Sequence, residues 1–211
     1  MRGDRGSAGG CGAGAGCGEI KLANPNQETA EFAQNWSAEI LAAPPMIAPA
    51  RQFVYPMYVP GEEDAMARGA LLLMVRPADS PAFLATCARG FADERTPTGV
   101  FACPNPNELC AVAGGYAYIV DVTQPARCTQ VALRPVVEVR AVPSLGLLLF
   151  VGFHAVLAWG AGGLAWKTAK LTDEGLRIVS IEDGVLFGFG WKLMTDAEVP
   201  FVIDLRTGAL R

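Results

Sequence analysis

The chain has a single histidine, His154, among its 211 residues. That excludes zinc centres that need two or three imidazole ligands. The six cysteines (Cys11, Cys17, Cys87, Cys103, Cys110 and Cys128) include no C-x-x-C pair, so a zinc knuckle lacks its spacing. None of them opens an obvious helix, where a thiol would be acidified for nucleophilic work, and buried free thiols are the expectation. There is no G-x-S-x-G elbow and no Walker phosphate loop. Gly10-Cys-Gly12-Ala-Gly-Ala15 has the glycines of a dinucleotide loop, but no strand leads into it and no helix opens on it. Charge is also scarce: 18% of residues are charged, the net charge is −4, and lysine and arginine form no cluster. A nucleic-acid binder needs a basic face to displace counterions from phosphates, so no nucleic-acid partner is expected. The opening residues, MRGDRGSAGG, lack the apolar core of a signal peptide. A cytoplasmic location with reduced thiols is therefore expected, and the glycosylation pattern Asn35-Trp36-Ser37 has no bearing there.

What the chain has in quantity is apolar surface, 51% of residues, enough to bury a substantial core. Residues 141–166 carry no formal charge and are flanked by Arg140 and Lys167, a length that could cross a bilayer. That stretch is interrupted by Pro143, by glycines from Gly146 to Gly163 and by His154, and its texture matches its neighbours. A buried β-hairpin is the expected reading, not a membrane span.

Residues 1–23 are dominated by glycine and alanine and read as a flexible tail. A helix is expected over 24–42 within an N-terminal unit spanning 24–50. Asn24 would be its N-cap, Pro25 sits in its first turn, and Phe32, Trp36 and Ile40 recur every fourth residue. Pro44-Pro45 would end it. From 51 to 211 helical periodicity disappears, and short β-prone runs alternate with Gly, Pro, Asn and Asp. Strands are expected at Gln52–Val59, Ala70–Val75, Ala82–Thr86, Val100–Cys103, Leu109–Ala113, Ala117–Val122, Val136–Arg140, Leu147–Val151, Ala155–Trp159, Leu164–Thr168, Arg177–Ile181, Val185–Phe189 and Pro200–Leu205.

Leu71-Leu-Leu-Met-Val75, Leu109-Cys-Ala-Val-Ala113 and Leu147-Leu-Leu-Phe-Val151 begin at two equal steps of 38 residues. Gly114 and Gly152 follow the second and third runs, Arg76 follows the first, and Gly184-Val-Leu-Phe187 with Gly188 is a looser fourth copy. A strand-rich unit of this length cannot bury both its faces alone and must stack on its copies. The expected fold is an all-β, propeller-like stack of about four repeated antiparallel units with one N-terminal helix; the alternative is a β-sandwich. Gln52–Val59 is expected to close the sheet against the C-terminal unit.

Phe201-Val-Ile-Asp-Leu-Arg-Thr-Gly208 resembles the end of a quinoprotein-type propeller repeat, in which a strand runs into Asp-Leu-x-Thr-Gly. Ala117-Tyr-Ile-Val-Asp121-Val122 resembles the same strand ending in bacterial propeller repeats. The resemblance implies a propeller and, in some members, a quinone cofactor. This chain has too few units for that enzyme and only one such Thr-Gly, so no cofactor is expected. In such a turn the Asp accepts backbone N–H groups and the Gly takes positive φ.

His154 falls in an apolar stretch and reads as a core or rim residue, or as a functional imidazole. Trp159, Trp166 and Trp191 read as packing residues, with a stacking surface as the alternative. His154, Trp159 and Trp191 are the candidate ligand-binding residues, and no catalytic or metal-binding residue is assigned. The acidic groups at Glu62-Glu63-Asp64, Asp173-Glu174, Glu182-Asp183 and Asp196/Glu198 read as solvated turns, with Asp183-Gly184 a hairpin turn. The function expected is that of a non-catalytic binding or scaffold module for a protein or small ligand. The alternative is a hydrolase or lyase with a site assembled from turns.

Overall fold

A computed structural model describes residues 32–56, 67–93 and 96–211. The glycine-rich tail, the first part of the expected helix and Glu62-Glu63-Asp64 lie outside the described residues. The strands are β1 (Trp36–Leu41), β2 (Gln52–Tyr55), β3 (Ala70–Pro77), β4 (Phe83–Ala88), β5 (Gly99–Ala102), β6 (Glu108–Ala113), β7 (Tyr116–Asp121), β8 (Cys128–Gln130), β9 (Val136–Val142), β10 (Leu147–Gly152), β11 (Val156–Gly160), β12 (Gly163–Lys167), β13 (Glu174–Glu182), β14 (Val185–Lys192) and β15 (Ala197–Asp204). They form four sheets: sheet 1 in the order β1-β3-β4-β2, sheet 2 β5-β6-β7-β8, sheet 3 β9-β10-β11-β12, and sheet 4 β13-β14-β15.

Local chemistry sets the hairpins. Asp183 and Gly184 take φ of 49° and 76° between β13 and β14, and Gly114 and Gly115 take 55° and 78° between β6 and β7. Positive φ at both central residues matches the right-handed twist of paired strands. Residues 141–166 form β10, β11 and their flanks, a buried hairpin. No helix among the described residues is long and apolar enough to cross a membrane.

Three buried clusters hold the sheets together, one at each junction. Leu71, Leu73, Val75, Phe83 and Tyr55 of sheet 1 meet Leu109, Ala111 and Tyr118 of sheet 2. Cys110, Val112 and Ile119 of sheet 2 meet Leu148, Phe150 and Leu157 of sheet 3. Leu149, Val151 and Ala158 of sheet 3 meet Leu186, Ile203 and Leu205 of sheet 4. The fold is thus an all-β, propeller-like stack of four small sheets. Two sheets packed on one core, as in a sandwich, do not describe it. No buried cluster joins sheet 4 to sheet 1 among the described residues.

Among the described residues the N-terminal helix is not present: Trp36–Leu41 is β1, paired antiparallel with β3. The apolar stripe was compatible with both states, because residues four apart share a strand face as well as a helix face. Trp36 buries its ring at the first junction and donates its indole N–H to the Glu108 carbonyl at 3.1 Å, contacts that local propensity cannot foresee. The closing strand is also corrected. Gln52–Tyr55 pairs in parallel with β4 inside sheet 1 and does not reach sheet 4.

Sheet 1 differs from the others in direction as well. The β3 end at Ala78 is tied through Asn35 to Pro106 and Asn107, just before β6 begins. The Gly69 end is linked by Arg89 and Gly90 to Ala113, where β6 ends. β3 therefore runs opposite to β6 across the junction. The run at Leu71 lies against the run at Leu109 but does not superimpose on it along the chain. The runs at Leu109 and Leu147 are offset by one residue: Leu109 faces the preceding sheet, whereas Leu147 faces the following one and Leu148 takes the equivalent place. Both strands are buried on both faces, so no alternation in the sequence marks the register.

Candidate functional site

β14 reads Val185-Leu-Phe-Gly-Phe-Gly-Trp191-Lys192. Leu186, Gly188 and Gly190 point into the junction with sheet 3 and are buried. The two glycines are required there. A Cβ on Gly188 would lie 2.4 Å from the Phe201 ring, and one on Gly190 would lie 1.6 Å from the Thr172 methyl group. The intervening Val185, Phe187, Phe189 and Trp191 stand on the opposite, unpaired face. A half-buried strand ordinarily turns its large apolar residues inward and its polar ones outward. Beyond Leu186, β14 does the reverse, with glycine inside and aromatics outside.

Cross-strand register fixes what surrounds the aromatics. Glu174, Trp191 and Glu198 lie in one row; Arg177, Phe189 and Pro200 in the next; then Ser180, Phe187 and Val202; then Glu182, Val185 and Asp204. The Arg177 guanidinium sits 5.1 Å from the Phe189 ring centroid and pairs with Glu198 at 3.0 Å, bridging β13 to β15 across β14. Around them is an open depression of about 280 Å³, lined by Glu174, Arg177, Phe189, Trp191 and Glu198. Phe187 remains 39% exposed and Val179, at the β13 bulge, 53%.

The three candidate residues do not converge. Trp191 lines the depression. His154 is exposed in the turn between β10 and β11, 6.4 Å ring to ring from Phe153. Its carbonyl accepts the Leu171 N–H at 2.7 Å, the Thr172 hydroxyl donates to the Phe153 and Gly175 carbonyls, and the Asp173 N–H donates to the Trp191 carbonyl at 2.9 Å. The segment 171–173 thus ties the His154 turn to the Trp191 end of β14. Trp159 lies at the far end of β11, buried between sheets 2 and 3, with its indole N–H donated to Glu108 at 2.8 Å. The His154 imidazole bonds to no carboxylate or thiol among the described residues, and no group of three or more metal-binding side chains occurs among them.

Titratable groups are tuned by structural surroundings. Burial pushes the thiols of Cys87, Cys103 and Cys110 far above their ordinary value and that of Cys128 up to about 12, so thiolate is scarce at neutral pH. Burial also raises Glu108, opposed by the Trp159 hydrogen bond and helped by the Asp121 charge. Glu108 was not singled out in the sequence. It joins three sheets: its carbonyl accepts from Trp36 of sheet 1 and its carboxylate from Trp159 of sheet 3. The nearest sequence signal was its place at the head of a repeated run.

The turns that carried the propeller resemblance have the chemistry expected of them. Asp204 accepts the Arg206 N–H at 2.9 Å, and Gly208 takes φ 73°. Asp121 accepts the Thr123 N–H at 2.9 Å and the Gln124 N–H at 3.2 Å. Both end the third strand of their sheets.

Fold and surface together define a class: a propeller-like β protein of four stacked sheets whose last sheet turns an aromatic stripe away from the stack. No protein-family model and no curated protein matches the sequence. Among solved structures, the chain is similar to the N-terminal domain of Nup159, at 11% identity and a TM-score of 0.33, over 86% of this chain and 50% of that one. The chain therefore spans half the length of that solved chain.

Proposed function

We propose that the protein is a non-catalytic binding module and that its recognition surface is the open face of sheet 4. The observation that carries this reading is the inverted strand β14, whose glycines face the core while Phe187, Phe189 and Trp191 face outward. Phe187 is exposed and Phe189 and Trp191 are half-buried beside it, and outward aromatics on a rigid sheet are characteristic of interaction surfaces. Of the candidate residues, Trp191 belongs to this surface, His154 stands in the β10–β11 turn that residues 171–173 tie to the Trp191 end of β14, and Trp159 is buried between sheets 2 and 3. Among the described residues the hydrolase or lyase alternative has no carboxylate or thiol bonded to His154, and the buried thiols there are held protonated.

The test is selection of a displayed random-peptide library on the immobilised full chain. Enriched peptides should be retained by the wild type and lost on a Phe187→Ser/Trp191→Ala double variant of unchanged melting temperature. No enrichment, or equal retention by the variant, overturns the reading.

A further inference from the structure

The open face of sheet 4 has a sign as well as an aromatic stripe. By register its three strands carry Glu174, Glu182, Glu198 and Asp204 with Arg177, and Arg211 beyond β15 reaches Asp204. Glu198 is paired with Arg177, and Asp204 with Arg211. Glu174 and Glu182 have no ion-pair partner among the described residues, and both are exposed. They close β13 at its two ends, so one unpaired carboxylate stands at each end of the Val185–Phe187–Phe189–Trp191 stripe.

We propose that this face binds an extended peptide segment of a partner protein, apolar in its middle and carrying lysine or arginine at both ends. The proposal rests on the binding-module reading and adds the partner's chemistry to it. The apolar middle would cover Phe187 and Phe189. The cations would meet Glu182 at one end and Glu174 at the other, where the Trp191 ring face adds cation–π attraction. Desolvating two unpaired carboxylates against apolar neighbours is costly unless a positive charge compensates them. A neutral or acidic partner is therefore disfavoured on the face that the aromatics favour for burial. A second copy of this chain is disfavoured for the same reason, because stacking two such faces would oppose carboxylate to carboxylate.

The probes are two fluorescein-labelled peptides of alternating valine and threonine, one with two lysines at each end and one with two glutamates there. Fluorescence anisotropy should show saturable binding of the lysine peptide at least tenfold tighter than of the glutamate peptide, with the difference shrinking as salt rises. Glu174→Lys/Glu182→Lys should reverse the preference, and Phe187→Ser should weaken both peptides at least tenfold. Each substituted side chain points outward, so the variants should keep the wild-type melting temperature. Equal binding of the two peptides overturns the proposal, as does lysine-peptide binding indifferent to these variants. A dimer that Phe187→Ser dissolves overturns it in favour of a second copy. If the library selection yields peptides that are acidic, or that bind away from Phe187, this proposal fails while the binding-module reading stands or is relocated; if it yields none, both fail.

Discussion

Glu108 shows how one residue can couple three sheets, through its carbonyl to Trp36 and its carboxylate to Trp159, and make stability depend on pH. Partial burial raises its carboxyl above the ordinary range, so the folded protein holds that proton more tightly than the unfolded chain does. The folded state is therefore favoured at acid pH, and that contribution is lost as pH rises through the raised value. Glu108→Gln keeps an oxygen to accept from Trp159 and removes the charge. Its melting temperature relative to wild type should rise between pH 4 and pH 7; a constant difference between the two would contradict the assignment. Gly190 is the second informative residue. Thr172 is buried, with its hydroxyl bonded to two carbonyls, and cannot yield to a Cβ placed 1.6 Å away. Gly190→Ala should destabilise by about 1–3 kcal/mol in urea unfolding, the usual range for overpacking. Tyr55→Phe removes a buried hydroxyl that donates to the Pro125 carbonyl at 2.6 Å across the first junction, and should destabilise by about 1 kcal/mol.

At the level of elements, sheet 1 is the most dependent on distant pairing. Its two edge strands, β1 and β2, come from the N-terminal side of the β3–β4 hairpin and flank it on either side. Together they contribute Trp36 and Tyr55 to the first cluster. Deleting residues 1–60 should uncover Leu73, Val75 and Phe83 and lower the melting temperature sharply; an unchanged value would mean that β1 and β2 are accessories. The strands of sheet 4 answer to a different logic. Their inner face is held by Leu186, Ile203 and Leu205, so the outward aromatics can be replaced without loss of fold.

Across the whole molecule, the buried clusters of the described residues join each sheet only to its neighbours in the stack. Stability then resembles a sum of sheet and junction contributions, with the ends weaker than the middle. Sheets 2 and 3 are covered on both faces: β6, β7, β10 and β11 are buried along almost their whole length. Native-state hydrogen exchange should protect these four strands most, with β1, β2, β13 and β15 opening first. Uniform protection across the four sheets would count against this description. Leu149→Ala, which opens a cavity at the third junction, should cost about 2–5 kcal/mol.

The amino-acid sequence alone determined where most strands and the Asp183-Gly184 hairpin turn lie, because those features follow from local chemistry, though it read β1 as helix and offered no signal for β8. β-branched and aromatic runs, Asp183-Gly184 and Gly114-Gly115 act over a few residues whatever surrounds them. It also held Trp191 as a stacking candidate, although nothing local distinguished it from Trp159. The remaining features were decided only by tertiary structure. The stripe of Phe32, Trp36 and Ile40 fits helix and strand equally, and pairing with β3 settled it. The one-residue offset between the runs at Leu109 and Leu147 was hidden because strands buried on both faces have no alternation to read. The direction of sheet 1, and the choice of which face of β14 meets solvent, depend on contacts between residues far apart in the chain. A glycine at 188 or 190 reads as a turn or a gap until the ring of Phe201 and the methyl group of Thr172 are seen filling the space it leaves.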